Sequence, residues 1–108
     1  MIAWILLVIA IAFEIVGTSL LKLSDGFEKP LWGGLAIASY WGSFSFLAPA
    51  LKAIPVGVAY AIWSGVGIVA IAIIGYFFFD QRLSLLQYFF IATILFGAVG
   101  LRLTTGGA

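Results

Sequence analysis

Charged residues punctuate an otherwise apolar chain. Residues 31–51, 53–79 and 83–101 hold none, and residues 1–21 hold one, Glu14. Apolar stretches of this kind fit a membrane-spanning helix, which needs about 20 mainly apolar residues, with a usual range of about 17–25. The pattern predicts four helices at roughly 3–21, 31–51, 57–79 and 85–103. A lipid-exposed backbone must satisfy its own hydrogen bonds, which leaves helices or closed barrels as spanning structures. Barrel strands alternate polar and apolar positions, and runs such as Met1–Phe13 and Ile68–Phe79 do not. The links carry turn chemistry: Ser24, Asp25, Gly26 and Pro30 in the first, Pro55 and Gly57 in the second, Asp80 to Ser84 in the third. The expected architecture is an all-α integral membrane protein, with a single four-helix transmembrane domain over residues 1–108. The first helix lacks a basic leader and a small-residue cleavage pattern, so it reads as a span and not as a signal peptide.

Composition sharpens this picture. The 108 residues are 65% hydrophobic and 8% charged, with a mean hydropathy of +1.27. Ordinary soluble domains carry about 45–50% apolar and about 25% charged residues. A net charge of +1 without a basic cluster argues against a nucleic-acid partner. The chain has no Cys and no His, so thiolate chemistry, disulfides, zinc fingers and His-ligated haem are excluded. No cofactor is expected. Positive charges divide almost evenly between the two sides, Lys52 and Arg102 against Lys22, Lys29 and Arg82. The positive-inside rule needs a bias to fix orientation, so insertion both ways round is an expectation. A chain inserted both ways can form an antiparallel dimer, which copies the inverted-repeat plan of larger transporters. Four helices alone enclose too little space for a hydrophilic cavity, which again points to a homo-oligomer.

Glu14 is the residue on which function turns. It lies about 3 Å from the expected mid-membrane plane at 1.5 Å per residue. An ionised carboxylate there costs about 2.5–3.5 kcal/mol on insertion scales. Lys22 is about 12 Å away along the axis, too far to neutralise it. A purely structural hydrogen bond would be served as well by Gln. A carboxyl in this position can hold a proton and release it when a cation arrives. Ala10, Ile11, Gly17 and Thr18 lie one turn to either side, on the same helix face, and three of these four are small. Tyr60 and Trp63 share a face of the third helix, flanked by Ser64 and Gly67. Tyr40 and Ser43 do the same on the second. Aromatic faces attract organic cations, by about 2 kcal/mol or more when desolvated. Core packing is the plain alternative for each aromatic taken singly, and Trp4, Trp32, Trp41 and the Phe residues read as interface anchors or lipid-facing bulk. The Gly65-Val66-Gly67 run should break the third helix, since Gly pairs are a cause of kinks. On the fourth helix, Thr93 and Gly97 form a small-xxx-small pair of the kind that lets helices associate.

FEIVGTSLLKLSDGF (13–27) and PVGVAYAIWSGVGIV (55–69), in a chain of this length with four spans, resemble the small multidrug resistance family, and the resemblance runs over essentially the whole chain. It implies a proton-coupled antiporter working as an antiparallel, dual-topology homodimer in the bacterial inner membrane. It implies that the first three helices line the site and the fourth makes most of the dimer contact. Glu14 corresponds to the carboxylate for which protons and substrate compete. Tyr40, Tyr60 and Trp63 match the aromatic binding residues, Ser43 a polar lining residue, Gly65 and Gly67 a hinge, and Gly97 a dimer-contact glycine. The guanidinium-exporting branch typically has E-V-V-W-A around the acid and Gly four residues before it. Here the run is Glu14-Ile15-Val16-Gly17-Thr18, with Ala10 before it. This and Ser39-Tyr40 are similar to the branch that exports quaternary ammonium and other lipophilic cations. Gly17 in place of Trp is expected to enlarge the pocket. Phe90 stands where that branch often has a further glycine. The alternatives are an exporter of small cations, guanidinium or a polyamine, and a non-transporting membrane scaffold subunit.

Overall fold

The computed structural model describes residues 2–105; Met1 and residues 106–108 of the expected domain lie outside the described residues. The chain forms four α-helices: α1 (Ile2–Leu23), α2 (Pro30–Ala50), α3 (Val56–Phe78) and α4 (Leu85–Thr104). Their ends differ from the expected ones by a residue or two. At 1.5 Å per residue each measures about 30–35 Å, enough to cross a hydrocarbon core about 30 Å thick. By length and composition α1, α3 and α4 are apolar enough to cross a membrane, with hydropathies of 2.3, 2.1 and 1.6. The 21-residue α2 has the length and no Asp, Glu, Lys or Arg, but its two Trp, one Tyr, three Ser and three Gly make it less apolar.

Contacts divide the chain into two compact units, Met1–Ala53 and Ile54–Ala108. The first is the α1–α2 hairpin. On α1 the buried residues are Ala3, Leu7, Ala10, Ile11 and Gly17, a stripe at helical spacing. On α2 they are Gly33, Ala36, Ser43 and Ala50, all small, which lets two backbones approach closely. Ser24 organises the turn between them. It is fully buried, its hydroxyl donates to the Leu21 carbonyl at 2.6 Å and accepts from the Phe27 amide at 3.1 Å. Asp25, Gly26 and Phe27 then all have positive φ, a conformation sparsely allowed for residues other than Gly. This reversal brings the Phe27 ring so close to Gly33 that a Cβ there would lie 2.7 Å from it.

The second unit is the α3–α4 hairpin. Ala59, Ile62, Gly65, Gly67 and Gly75 are buried on α3, and Ala98 on α4. Asp80 turns the chain at φ 52°, and the Gln81 amide donates to the Gly75 carbonyl at 2.9 Å. Arg82 lies 4.4 Å above the Tyr76 ring, donates to Tyr76 Oη at 3.0 Å and pairs with Asp80 at 3.3 Å. Helix α4 opens on a capping box. The Ser84 hydroxyl accepts from the Gln87 amide at 3.2 Å, and Gln87 Oε1 accepts from the Ser84 amide at 2.8 Å. Two orphan amides of a new helix are satisfied reciprocally in this way.

Candidate functional site

Glu14 belongs to the α1 face that packs against α2, because Ala10 and Gly17 of the same stripe form the seam. Its two carboxyl oxygens differ. Oε1 accepts from Thr18 Oγ1 at 3.2 Å, one turn further along α1. Thr18 Oγ1 in turn lies 2.7 Å from Tyr40 Oη on α2. Oε2 is buried and has no hydrogen-bond partner. An unpaired polar oxygen shielded from water is costly to leave unsatisfied.

The packing around this carboxyl is close. The Tyr40 ring lies close against Gly17, where a Cβ would come within 3.2 Å of Tyr40 and 3.3 Å of Ser39 Cβ. One turn before Glu14, the Ser43 hydroxyl donates to the Ala10 carbonyl at 2.7 Å. Both residues are completely buried, and Ile11 is nearly so. That carbonyl is also the i−4 acceptor of the Glu14 amide in the α-helical pattern. Helix α2 therefore grips α1 on both sides of Glu14, through Ser43 below and Tyr40 above.

Six of the expected residues, Ala10, Glu14, Gly17, Thr18, Tyr40 and Ser43, thus meet in one hairpin, with Ile11 packed beside them. Three details go beyond the sequence reading. Ala10 and Ser43 are joined in the helix seam through the Ala10 carbonyl and the Ser43 hydroxyl, and both are buried. The room left by Gly17 is filled by the Tyr40 ring, because a glycine opposite an aromatic lets two helices close up. Phe13 is not simple lipid-facing bulk: its ring stacks on Phe46 at 5.6 Å and 16°. It also covers Gly42, where a Cβ would meet it at 2.9 Å. Gly42 was not singled out from the sequence, although its place beside Ser43 put it on the edge of the same face.

The remaining expected residues lie in the other hairpin. Tyr60 is 69% exposed. Trp63 and Ser64 are half-buried, and Gly65 and Gly67 are buried. The expected break at Gly65-Val66-Gly67 is not seen: α3 is continuous from Val56 to Phe78, since lipid gives a helix no other partner for its backbone. Gly65 instead marks a close approach to α4, where a Cβ would come within 2.8 Å of Ala98 Cβ. Gly97 on α4 is exposed, and a Cβ added there would meet nothing within 4 Å. Among the described residues no group of three or more His, Cys, Asp or Glu could hold a metal ion.

Four helices, three of them apolar enough to cross a membrane, with one half-satisfied carboxyl in the α1–α2 hairpin, define a small multi-pass membrane protein. The chain belongs to the Small Multidrug Resistance protein family, whose model matches residues 2–94. This is a family of membrane transporters with four spans, and its chemistry is not enzymatic. The chain is 46% identical to the uncharacterized membrane protein YvaE of Bacillus subtilis, over 93% of this chain and 84% of the relative. It is 44% identical to the quaternary ammonium compound-resistance protein QacE of Escherichia coli, over 93% of this chain and 91% of the relative. It is 42% identical to the spermidine export protein MdtI of Yersinia pestis, over 91% and 90%.

Proposed function

We propose that this chain is a proton-coupled antiporter that expels lipophilic and aromatic organic cations, quaternary ammonium compounds among them, across the bacterial inner membrane. The observation that carries the reading is Glu14, whose Oε2 is buried without a partner near the middle of α1. Protons and a cation compete for that carboxyl, so loading one expels the other. In this reading the two hairpins work as a single four-helix domain, and two copies associate antiparallel with both Glu14 carboxyls in one site. Tyr40, Tyr60 and Trp63 supply aromatic faces for the cation, beside Ile11, Gly17 and Thr18. Gly65 and Gly67 permit α3 to bend as the dimer exchanges its halves. The open flank at Gly97 is the contact between copies. Membership of the family and the quaternary ammonium resistance of a close relative support the substrate class.

The test is binding of tetraphenylphosphonium to the purified protein across pH 5–9, beside Glu14→Gln. Affinity should fall as pH falls, with protons released on binding, and Glu14→Gln should lose both effects. Binding that ignores both pH and Glu14 would sink the proposal. The likeness to a spermidine exporter keeps polyamines as a second substrate class. Spermidine displacing tetraphenylphosphonium at comparable concentrations would favour it over bulky cations.

A further inference from the structure

Resting on the reading above that Glu14 exchanges a proton for a cation, we infer that Thr18 is a positioning residue. With Tyr40 behind it, Thr18 keeps Oε1 of Glu14 engaged and confines the exchange to Oε2. Thr18 Oγ1 has one hydrogen and touches two partners, Glu14 Oε1 at 3.2 Å and Tyr40 Oη at 2.7 Å. A carboxylate is an acceptor only. When Glu14 is ionised, Thr18 therefore donates to it, and Tyr40 donates to Thr18. The chain of donors runs in one direction, Tyr40 to Thr18 to Glu14. When Glu14 takes up a proton on Oε2, Oε1 is a carbonyl oxygen and still accepts from Thr18. The network needs no rearrangement between the two states, and the oxygen without a partner is the one that changes hands.

The packing holds Tyr40 in place behind Thr18. Tyr40 cannot swing away on the α1 side, because its ring rests on Gly17 at contact distance. Ser43, three residues on, pegs α2 to the Ala10 carbonyl one turn before Glu14. Tyr40 is the one titratable side chain on α2, which has no Asp, Glu, Lys or Arg, and the other charge on α1 is Lys22, eight residues beyond Glu14. Hydrogen bonds to an ionised group favour that form. Thr18 thus sets how well a proton competes with a cation at Glu14, a role separate from lining the site.

The experiment measures tetraphenylphosphonium affinity against pH for the parent, Thr18→Val, Thr18→Ser, Tyr40→Phe and Glu14→Gln in the same detergent. Thr18→Val keeps the shape and removes the donor. Its pH of half-maximal binding should move upward by about one unit, a tenfold gain for the proton and the scale of one charge-assisted hydrogen bond. Tyr40→Phe should move it the same way by less. Thr18→Ser should restore the parent profile. If Thr18→Val and Tyr40→Phe alter affinity equally at every pH and leave the midpoint in place, both act only as walls of the pocket and the inference is overturned. If Thr18→Val does not fold, Tyr40→Phe decides alone, since it removes a single oxygen. PH-dependent binding that survives in Glu14→Gln would instead overturn the antiport reading, a distinct result.

Discussion

The two hairpins close their seams by different means. Between α1 and α2 the contacts are directional: Thr18 to Tyr40, Ser43 to the Ala10 carbonyl, and rings seated on Gly17 and Gly42. Between α3 and α4 the close approach is Gly65 against Ala98, and α4 hydroxyls serve their own helix. Thr93 donates to the Phe89 carbonyl and Thr104 to the Gly100 carbonyl. Ala98 is the residue that α4 buries, while Leu86, Phe89, Phe90, Phe96 and Val99 stay exposed. Hydrogen bonds across a seam fix rotation and axial register together, and a glycine contact fixes distance more than register. Directional contacts pin the geometry of the hairpin that carries the carboxyl, and α4 of the other hairpin exposes large apolar side chains.

The α3–α4 seam is most easily disturbed at Gly65. An added Cβ would lie 2.8 Å from Ala98 Cβ and 3.6 Å from the Ile94 carbonyl. Neither atom sits at the end of a flexible side chain, so the helices must separate. Gly65→Ala should destabilise the protein by about 1–3 kcal/mol, as overpacking does, in unfolding from mixed micelles. An unchanged midpoint would show that α3 and α4 are not held by this contact. A smaller effect is expected at Ser43. Ser43→Ala removes the peg but leaves the Ala10 carbonyl its helical partner. The loss should be about 0.6–1.7 kcal/mol, the range for interhelical hydrogen bonds in membranes. Thr93→Ala, which deletes a bond within one helix, should be close to neutral in the same assay. Equal losses in the two variants would erase the distinction between the hairpins.

Much of this was legible in the sequence, and the remainder has a common cause. Gaps between charges located the helices, because a charge at mid-membrane is expensive and turns collect polar residues. Glu14 stood out as the charge near the middle of a span, whereas Lys22 and Arg102 lie in last turns. Spacing of three and four also grouped Ala10, Gly17 and Thr18 on one face, and Tyr40 with Ser43 on another. What spacing does not carry is the register of one helix against its neighbour. That Tyr40 lands on Gly17, and Ser43 on the Ala10 carbonyl, depends on how the turn at Ser24 and its three left-handed residues set α2 beside α1. The filled space over Gly17 and the engaged Ser43 hydroxyl both follow from that register. The unbroken α3 has another reason: the sequence marks where a helix can bend, but the hydrogen-bond ladder keeps it whole.

Gly75 gives the smallest effect and the sharpest control on Gly65. A Cβ at Gly75 would lie 2.7 Å from Gln81 Oε1, as tight as the contact at Gly65. The neighbour differs in kind. Gln81 Oε1 is the tip of a flexible side chain in an exposed turn, and it can rotate away while the Gln81 amide keeps its bond to the Gly75 carbonyl. Ala is also the better helix former, by about 1 kcal/mol in a helix interior. The two terms oppose each other, so Gly75→Ala should change stability by less than about 0.5 kcal/mol, the usual range for changes that touch no packed core. Read beside Gly65→Ala, it separates distance from compliance. If both variants are equally damaged, close approach alone sets the cost and the turn is as rigid as the seam. If only Gly65→Ala is damaged, the second hairpin is fastened at its helix crossing and not at its loop.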